Sequence, residues 1–176
     1  MSLLRFLGLG GSSVGRESEP ASLAEIGAQL DSLPAEEARF VAAFSYLLAR
    51  IAGADLLTDD AERDATAQHL ETFAGIDADR AKLLAEAAIR AAATYSASDD
   101  HLVARAFRDM TEEPERIRLL RCLYAVAAAD ETISTVEDNE IFDIAMAMGV
   151  RRTAVVAIRL EFKKYIGSLK ALPSER

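Results

Sequence analysis

The sequence predicts an all-α protein: a single compact helical domain of about seven or eight helices built from two pseudo-symmetric helix-turn-helix units. Three observations support this fold class. The composition is 51% hydrophobic, with only 6% aromatic residues and no Trp, and its abundant alanine, leucine, glutamate and arginine favour helix. No segment alternates apolar and polar residues over the length of a strand. Two windows of the chain repeat each other at an offset of 75 residues.

Capping residues and helix breakers indicate where each helix begins and ends. After a short helix at a capping box formed by Ser22 and Glu25, the predicted helices cover about 34–54, 59–75, 77–92, 98–110, 114–129, 134–149 and 153–169. The predicted N-caps, which accept a backbone N–H, are Asp59, Asp77, Ser98 and Ser134. Gly75 and Gly149 are predicted to end helices, because glycine adopts the left-handed conformation without strain.

The ends of the chain differ from its centre in composition. We predict a flexible, Gly- and Ser-rich N-terminal tail over 1–20, a helical domain over 21–170 and a C-terminal tail over 171–176. The sequence contains no run of about 18 apolar residues, so no transmembrane segment is predicted, and the cytoplasm is the expected compartment. A peripheral contact with a membrane or a partner stays open as an alternative for the apolar residues of the tail: Leu3, Leu4, Phe6, Leu7 and Leu9.

Charge is unevenly distributed along the chain. The 29 acidic and 20 basic side chains give a net charge of -9, which disfavours binding to nucleic acid. Residues 151–176 carry +5, whereas residues 21–150 carry -14. The last predicted helix therefore combines a basic face with an apolar stripe at Val155, Ile158, Phe162, Tyr165 and Leu169. It either packs on the body with its charges in solvent, or meets an acidic partner or an anionic membrane surface.

The internal repeat matches apolar and acidic positions in the two halves of the chain. The matched pairs are Phe44 with Leu119, Leu48 with Leu123, Ile51 with Val126, Asp55 with Asp130, and Glu62 with Glu137. Each copy is an apolar helix that ends in Asp, then a short turn, then a capped helix with Glu in its first turn. Because each copy has to bury its apolar face against the other, one domain is expected rather than two.

The acidic positions of the repeat are the candidate site residues: Asp55, Glu62, Asp130 and Glu137. Asp55 and Asp130 lie in register with the apolar faces of their helices. If a two-fold axis relates the copies, the four carboxylates approach one another and repel unless a cation or a basic partner neutralises them. Carboxylate oxygens suit a divalent cation such as Ca²⁺, Mg²⁺ or Mn²⁺, although the spacing is not that of an EF-hand.

Three interpretations of these carboxylates stay open. In the first, Glu62 and Glu137 complete capping boxes, and Asp55 and Asp130 accept hydrogen bonds from turn amides. In the second, the four side chains bind a divalent cation, and in the third they dock a basic partner. A metal-dependent hydrolase would be the enzymatic form of the second interpretation.

The second copy of the repeat resembles the TerB-like (tellurite-resistance protein B) family. The residues that carry the resemblance are Ala-x-Ala-Asp at 127–130, Ile-Ser-x-x-Glu at 133–137 and Met-Gly-Val at 148–150. The family signature has the form Ala-Asp-Gly-x-Ile-Ser-x-x-Glu, and residues 54–62 are a looser version of it. The resemblance covers about 35–167.

This resemblance implies a cytoplasmic, all-helical domain linked with tellurite resistance and the stress response. It also implies an acidic cluster that has been proposed as a metal site, and no defined activity. Leu56 and Glu131 stand where the family has glycine after the Asp, which implies a reshaped turn. We therefore expect a non-enzymatic binding or scaffold module with protein partners, and the metal-dependent hydrolase is the alternative.

The histidines and the cysteine have structural interpretations. His69 matches the apolar Ile144 in the repeat and is expected at the edge of the core, and His101 is expected at the surface. Cys122 matches the apolar Leu47 and is interpreted as a small core residue rather than a nucleophile. Since it is the only cysteine, an internal disulfide is excluded.

Overall fold

The computed structural model describes residues 30–52, 60–93 and 97–167. Within these ranges the chain forms helices and no strand: α1 (Ala35–Ala52), α2 (Asp60–Ala74), α3 (Ala78–Ala92), α4 (Ala97–Met110), α5 (Glu113–Ala127), α6 (Thr135–Ala147) and α7 (Arg152–Glu161). The predicted all-α fold in a single compact helical domain is confirmed. Both predicted tails, the helix at Ser22 and the N-cap Asp59 lie outside the described residues. None of the described helices is long and apolar enough to cross a membrane.

The helices form two groups of three that follow the predicted repeat, with α4 between them. In the first group α1 packs on α2 and α3, and in the second α5 packs on α6 and α7. The two groups meet where α1 contacts α5, and α4 joins them by packing on both α1 and α6. Helices α1 and α5 therefore lie at the centre of one shared core, and each group covers an apolar face of the other.

The core contains the apolar positions that the repeat predicts. Leu48, Ile51, Leu123 and Val126 are fully buried, on the helix faces where their spacing places them. Aromatic rings extend this core between α1, α2 and α4, with neighbouring centroids 5.4 to 6.4 Å apart: Phe40, Phe44, Phe73 and Phe107. The ring separations are those of favourable aromatic pairs.

Two of the predicted N-caps are confirmed and one is wrong. Asp77 caps α3 by accepting a hydrogen bond from the Arg80 amide at 3.0 Å, and Ser134 caps α6 within the predicted capping box. Helix α4 begins at Ala97, so Ser98 lies inside the first turn and is not the N-cap.

Among the described residues, three in the turns adopt the left-handed backbone conformation. Gly75 follows α2 and Gly149 follows α6, and their φ values are 63° and 72°. These positive φ values are typical of glycine after a helix, so the prediction that both residues end helices is confirmed. A Cβ atom at Gly149 would lie 3.3 Å from the Arg108 side chain, whereas one at Gly75 would meet nothing within 4 Å. Glu131, with φ of 70°, occupies the same conformation in the turn before α6, at the position where the family signature has glycine.

The last helix is shorter than the sequence predicts. Helix α7 ends at Glu161, so the prediction that it continues to Leu169 is wrong. The chain turns instead and pairs with the segment before α6: the Ile133 amide donates to the Tyr165 carbonyl at 2.8 Å, and the Gly167 amide donates to the Ile133 carbonyl at 3.1 Å. This local pairing replaces helical hydrogen bonds and attaches the end of the described chain to the second group of helices.

Candidate functional site

The structure describes three of the four predicted site residues, since Asp55 lies outside the described ranges. Glu62 is 5% exposed in the first turn of α2 and is engaged by a neighbouring group. Asp130 is exposed, and its Oδ1 accepts a hydrogen bond at 2.8 Å from the amide two residues later. Glu137 is 4% exposed, and its Oε2 accepts one at 2.7 Å from the amide of the N-cap residue. Asp130 thus accepts a hydrogen bond from a turn amide, and Glu137 completes a capping box. Both contacts are those that the first interpretation describes.

These three carboxylates do not make a metal site by themselves. Among the described residues, no group of three or more His, Cys, Asp or Glu side chains is arranged to hold a metal ion. Glu62, Asp130 and Glu137 therefore do not form a ligand set without a further residue. The four-carboxylate site depends on Asp55 and stays a prediction.

A cavity of about 310 Å³ lies between α4, α6 and the C-terminal end of α1. We call it the acidic groove and define it by its lining residues: Arg50, Asp100, His101, Val136, Asn139, Glu140, Asp143 and Ile144. The lining residues of α6 recur at the spacing that places them on one helix face. Three carboxylates and one guanidinium give the groove a net negative charge at neutral pH.

Arg50 lies between two carboxylates of the acidic groove. Its Nε donates to Oδ2 of Asp100 at 2.7 Å, and its Nη2 lies 2.9 Å from Oε1 of Glu140. The hydroxyl of Tyr46, one turn earlier on α1, donates to Oδ1 of Asp100 at 2.6 Å. The Asp100 side chain is only 7% exposed, and its place near the start of α4 gives it the favourable potential of a helix N-terminus. Asp100 is therefore held through both oxygens and fixes the position of Arg50.

Glu140 and Asp143 carry the less compensated charge of the groove. Burial raises the pKa of Glu140, and Asp100 and Asp143 raise it further, while Arg50 acts in the opposite direction; the net shift is upward. Asp143 is exposed and has no ion-pair partner within the described part of the chain. A positive charge placed beside these two carboxylates would stabilise their ionised forms.

Another buried carboxylate, Asp138, attaches α7 to α6. Arg159 donates to Oδ2 of Asp138 at 2.6 Å, and the Tyr124 hydroxyl donates to Oδ1 at 3.2 Å. Burial, followed by the nearby Asp138 carboxylate, raises the pKa of Tyr124 above its usual range, so the hydroxyl keeps its proton. Helical spacing places Asp138 on a different face of α6 from the groove residues, and its contacts account for it as a structural group.

The histidines and the cysteine lie where the sequence predicts. His69 is half-buried beside Phe73, with ring centroids 6.1 Å apart, and burial lowers its pKa. His101 is exposed at the acidic groove. Cys122 is 3% exposed, and burial raises its pKa to about 12, so it stays an unreactive thiol at neutral pH.

The sequence alone does not identify the acidic groove. Its lining comes from positions 50, 100–101 and 136–144, and the pairing between such distant positions is not visible in one sequence. One signal is present in the sequence: Tyr46 and Arg50 lie four positions apart in the helix segment 40–52, whose other residues except Ser45 are apolar. Buried polar groups of this kind require partners elsewhere in the fold.

The comparison with known proteins gives one match. The family model described as Tellurite resistance protein TerB matches residues 40–160, which is more than half of the chain and includes every residue of the acidic groove. No curated protein and no solved structure matches the chain.

Proposed function

The chain belongs to the tellurite resistance protein TerB family, and on that premise we propose that it is a non-enzymatic binding module in a tellurite-resistance or general stress-response assembly of the cytoplasm. Its site is the acidic groove, and its ligand is a basic segment of a partner protein. The observation that carries this proposal is the unequal charge of the groove. Arg50 is shared by Asp100 and Glu140, so Glu140 and Asp143 together lack a full positive counter-charge.

A lysine or arginine side chain matches the shape and the charge of this groove. Its charged end would lie beside Glu140 and Asp143, and its aliphatic stem would pack on Val136, which is 54% exposed. The cavity of about 310 Å³ is at the small end of the range for ligand sites. It therefore suits one or two side chains of a docked segment better than a large cofactor.

The anchoring of Asp100 supports a role of the groove in binding. Both of its oxygens accept strong hydrogen bonds from Tyr46 and Arg50, so this carboxylate holds Arg50 in place. The groove therefore has a fixed inner network, and beside it the exposed Asp143 carboxylate is accessible to a ligand.

Binding of Ca²⁺, Mg²⁺ or Mn²⁺ at Asp55, Glu62, Asp130 and Glu137 is a separate proposal, supported by the family resemblance. A metal-dependent hydrolase would be its enzymatic form. Calorimetry with each ion tests it: the heat of binding should vanish when Asp130→Asn is combined with Glu137→Gln. A wild-type protein that gives no heat at millimolar metal contradicts the proposal.

The docking proposal is tested with a fluorescent peptide of alternating lysine and leucine, and a matched peptide in which glutamate replaces lysine. We expect saturable binding of the lysine peptide only, measured by fluorescence anisotropy. Combining Val136→Asn with Asp143→Asn should weaken binding by about tenfold or more, equivalent to at least 1.4 kcal/mol.

The control variant is Asp64→Asn, because Asp64 is exposed and lines a different cavity, on α2 and α3. It should bind the lysine peptide as the wild type does. Equal loss in the control and the groove variant, or equal binding of the two peptides, would contradict docking in the acidic groove.

A further inference from the structure

We propose that the partner segment is supplied by a second copy of the same chain, whose last helix docks in the acidic groove. This inference rests on the proposed function, because it uses the same groove. It adds the identity of the occupant and the geometry of the resulting assembly. Two surfaces of one molecule carry it, and both lie within the described residues.

The first surface is the exposed side of α7 together with the turn that follows it. We call it the basic face and define it as Arg152, Val156, Leu160, Lys163 and Lys164. Val156 and Leu160 are 47% and 53% exposed, one helical turn apart, and the cations lie at both ends of this apolar pair. Such an arrangement offers apolar contact at its centre and positive charge around it.

Within the part of the chain that the structure describes, no ion pair uses a cation of the basic face. Arg151 pairs with Glu113 and Arg159 pairs with Asp138, so these two hold α7 in place. The Arg152 guanidinium instead lies over the Phe142 ring, 5.7 Å from its centroid. Within the described residues, neither Arg152 nor Lys163 has a carboxylate partner. These charges are available to a second molecule.

The second surface is the acidic groove, which complements the basic face in charge and in apolar content. The groove carries Glu140 and Asp143 together with the exposed Val136. The same complementarity exists along the whole chain, with -14 over residues 21–150 and +5 over residues 151–176. Opposite fields of this kind raise the rate at which two copies meet in a productive orientation.

A molecule cannot satisfy both surfaces by itself. Arg159 fixes α7 against Asp138, and the bridge between Ile133 and Ile166 fixes the chain after it. Asp138 lies on a different face of α6 from Asp143, so the basic face of one molecule is held away from its own groove. Docking between copies therefore joins two different surfaces. It closes as a two-fold dimer where both grooves are filled reciprocally, and otherwise it builds larger rings or open chains.

The experiment measures the mass of the full chain by analytical ultracentrifugation over a range of protein concentration and salt. We expect the wild-type mass to increase with concentration at low salt. It should return to the monomer at high salt, because the screening length falls from about 10 Å at 0.1 M to about 3 Å at 1 M.

Two variants that introduce no new charge each remove one surface. The groove variant combines Val136→Asn with Asp143→Asn, and the face variant combines Leu160→Gln with Lys163→Gln. Each alone should stay monomeric, but an equal mixture should form a heterodimer and grow no further, because only one intact groove and one intact face remain. All four substituted side chains are exposed, and the circular dichroism of each variant should match the wild type.

Four outcomes would overturn the inference. If the wild-type protein stays monomeric at millimolar concentration, a second copy is not the partner. If that monomer still binds the lysine peptide, the proposed function stands and only the inference of self-association fails. A mixture that remains monomeric while the wild type associates places the contact elsewhere. Association of the face variant alone shows that the basic face is not the contact. Binding of anionic vesicles through an intact basic face by a monomeric wild type assigns that face to another partner.

Discussion

Replacing Asp100 by alanine is expected to lower the free energy of unfolding by about 3 kcal/mol. The side chain is 7% exposed and accepts from Arg50 at 2.7 Å and from the Tyr46 hydroxyl at 2.6 Å. Removing one member of a buried ion pair costs about 3–5 kcal/mol, and the lower end applies because Arg50 keeps its contact with Glu140 at 2.9 Å. With a urea dependence of about 2 kcal/mol per molar, the urea midpoint should fall by about 1.5 M, as measured by the circular dichroism of the helices.

Asp109→Ala, on the same helix, is the matched control for this measurement. Asp109 is 64% exposed and pairs with Arg108 at 2.9 Å, and exposed ion pairs contribute only about 0–1 kcal/mol. Tyr46→Phe, which removes the hydrogen bond from its hydroxyl to the charged Asp100, should cost about 1.5–3 kcal/mol. If Asp100→Ala lowers the urea midpoint no further than Asp109→Ala does, Asp100 is not the anchor of Arg50, and the reasoning is refuted.

Three further substitutions test other parts of the structure. Gly149→Ala should lower the free energy of unfolding by about 1–2 kcal/mol, measured by thermal unfolding, because the φ of Gly149 is positive. The loss should exceed that of Gly75→Ala, because a Cβ atom at position 75 would meet nothing within 4 Å. Equal losses would show that the contact at Gly149 contributes nothing. The pKa of Glu140 is higher in the folded state than in the unfolded state, so the folded protein binds the proton of this carboxyl more tightly. Protonation of Glu140 therefore stabilises the fold at low pH, and this stabilisation is lost as pH rises through the folded-state pKa. The Tm of the wild type relative to Glu140→Gln should therefore increase as pH falls from neutral into the acidic range, and a decrease would contradict the shift. Asp130→Ala should cost about 0.5–1.5 kcal/mol in chelator, since the exposed carboxylate loses one turn hydrogen bond, whereas a stabilised variant would indicate mutually repelling carboxylates.

Local sequence signals predicted those parts of the fold that depend on local physics. The apolar spacing around Leu48 and Leu123 identified two helix faces that the structure buries together, because a face of that width has to be covered. The capping box at Ser134 and the glycine at 149 identified both ends of α6. The end of α7 was predicted too far along the chain, because its termination depends on pairing between Ile133 and residues 165–167, which are about 30 positions away.

The candidate site was less predictable than the fold. Glu137 was identified from its place in the repeat, and the structure places it in a capping box. A helix that starts with this sequence would form the capping box with or without a ligand. The acidic groove depends instead on Arg50 meeting Asp100 and Glu140. These residues lie on three helices, so only the packing of α4 against α1 and α6 brings them together.

The most direct test of docking in the acidic groove is to map where the lysine peptide contacts the protein, by following amide NMR signals during a titration. Progressive shifts should be largest at Val136, Asn139 and Asp143 and at His101 across the groove, with one common dissociation constant. The amides around Asp64, in a separate cavity that also contains carboxylates, should not move. Shifts centred on Asp64, or distributed over all exposed carboxylates without saturation, would contradict a specific site in the acidic groove.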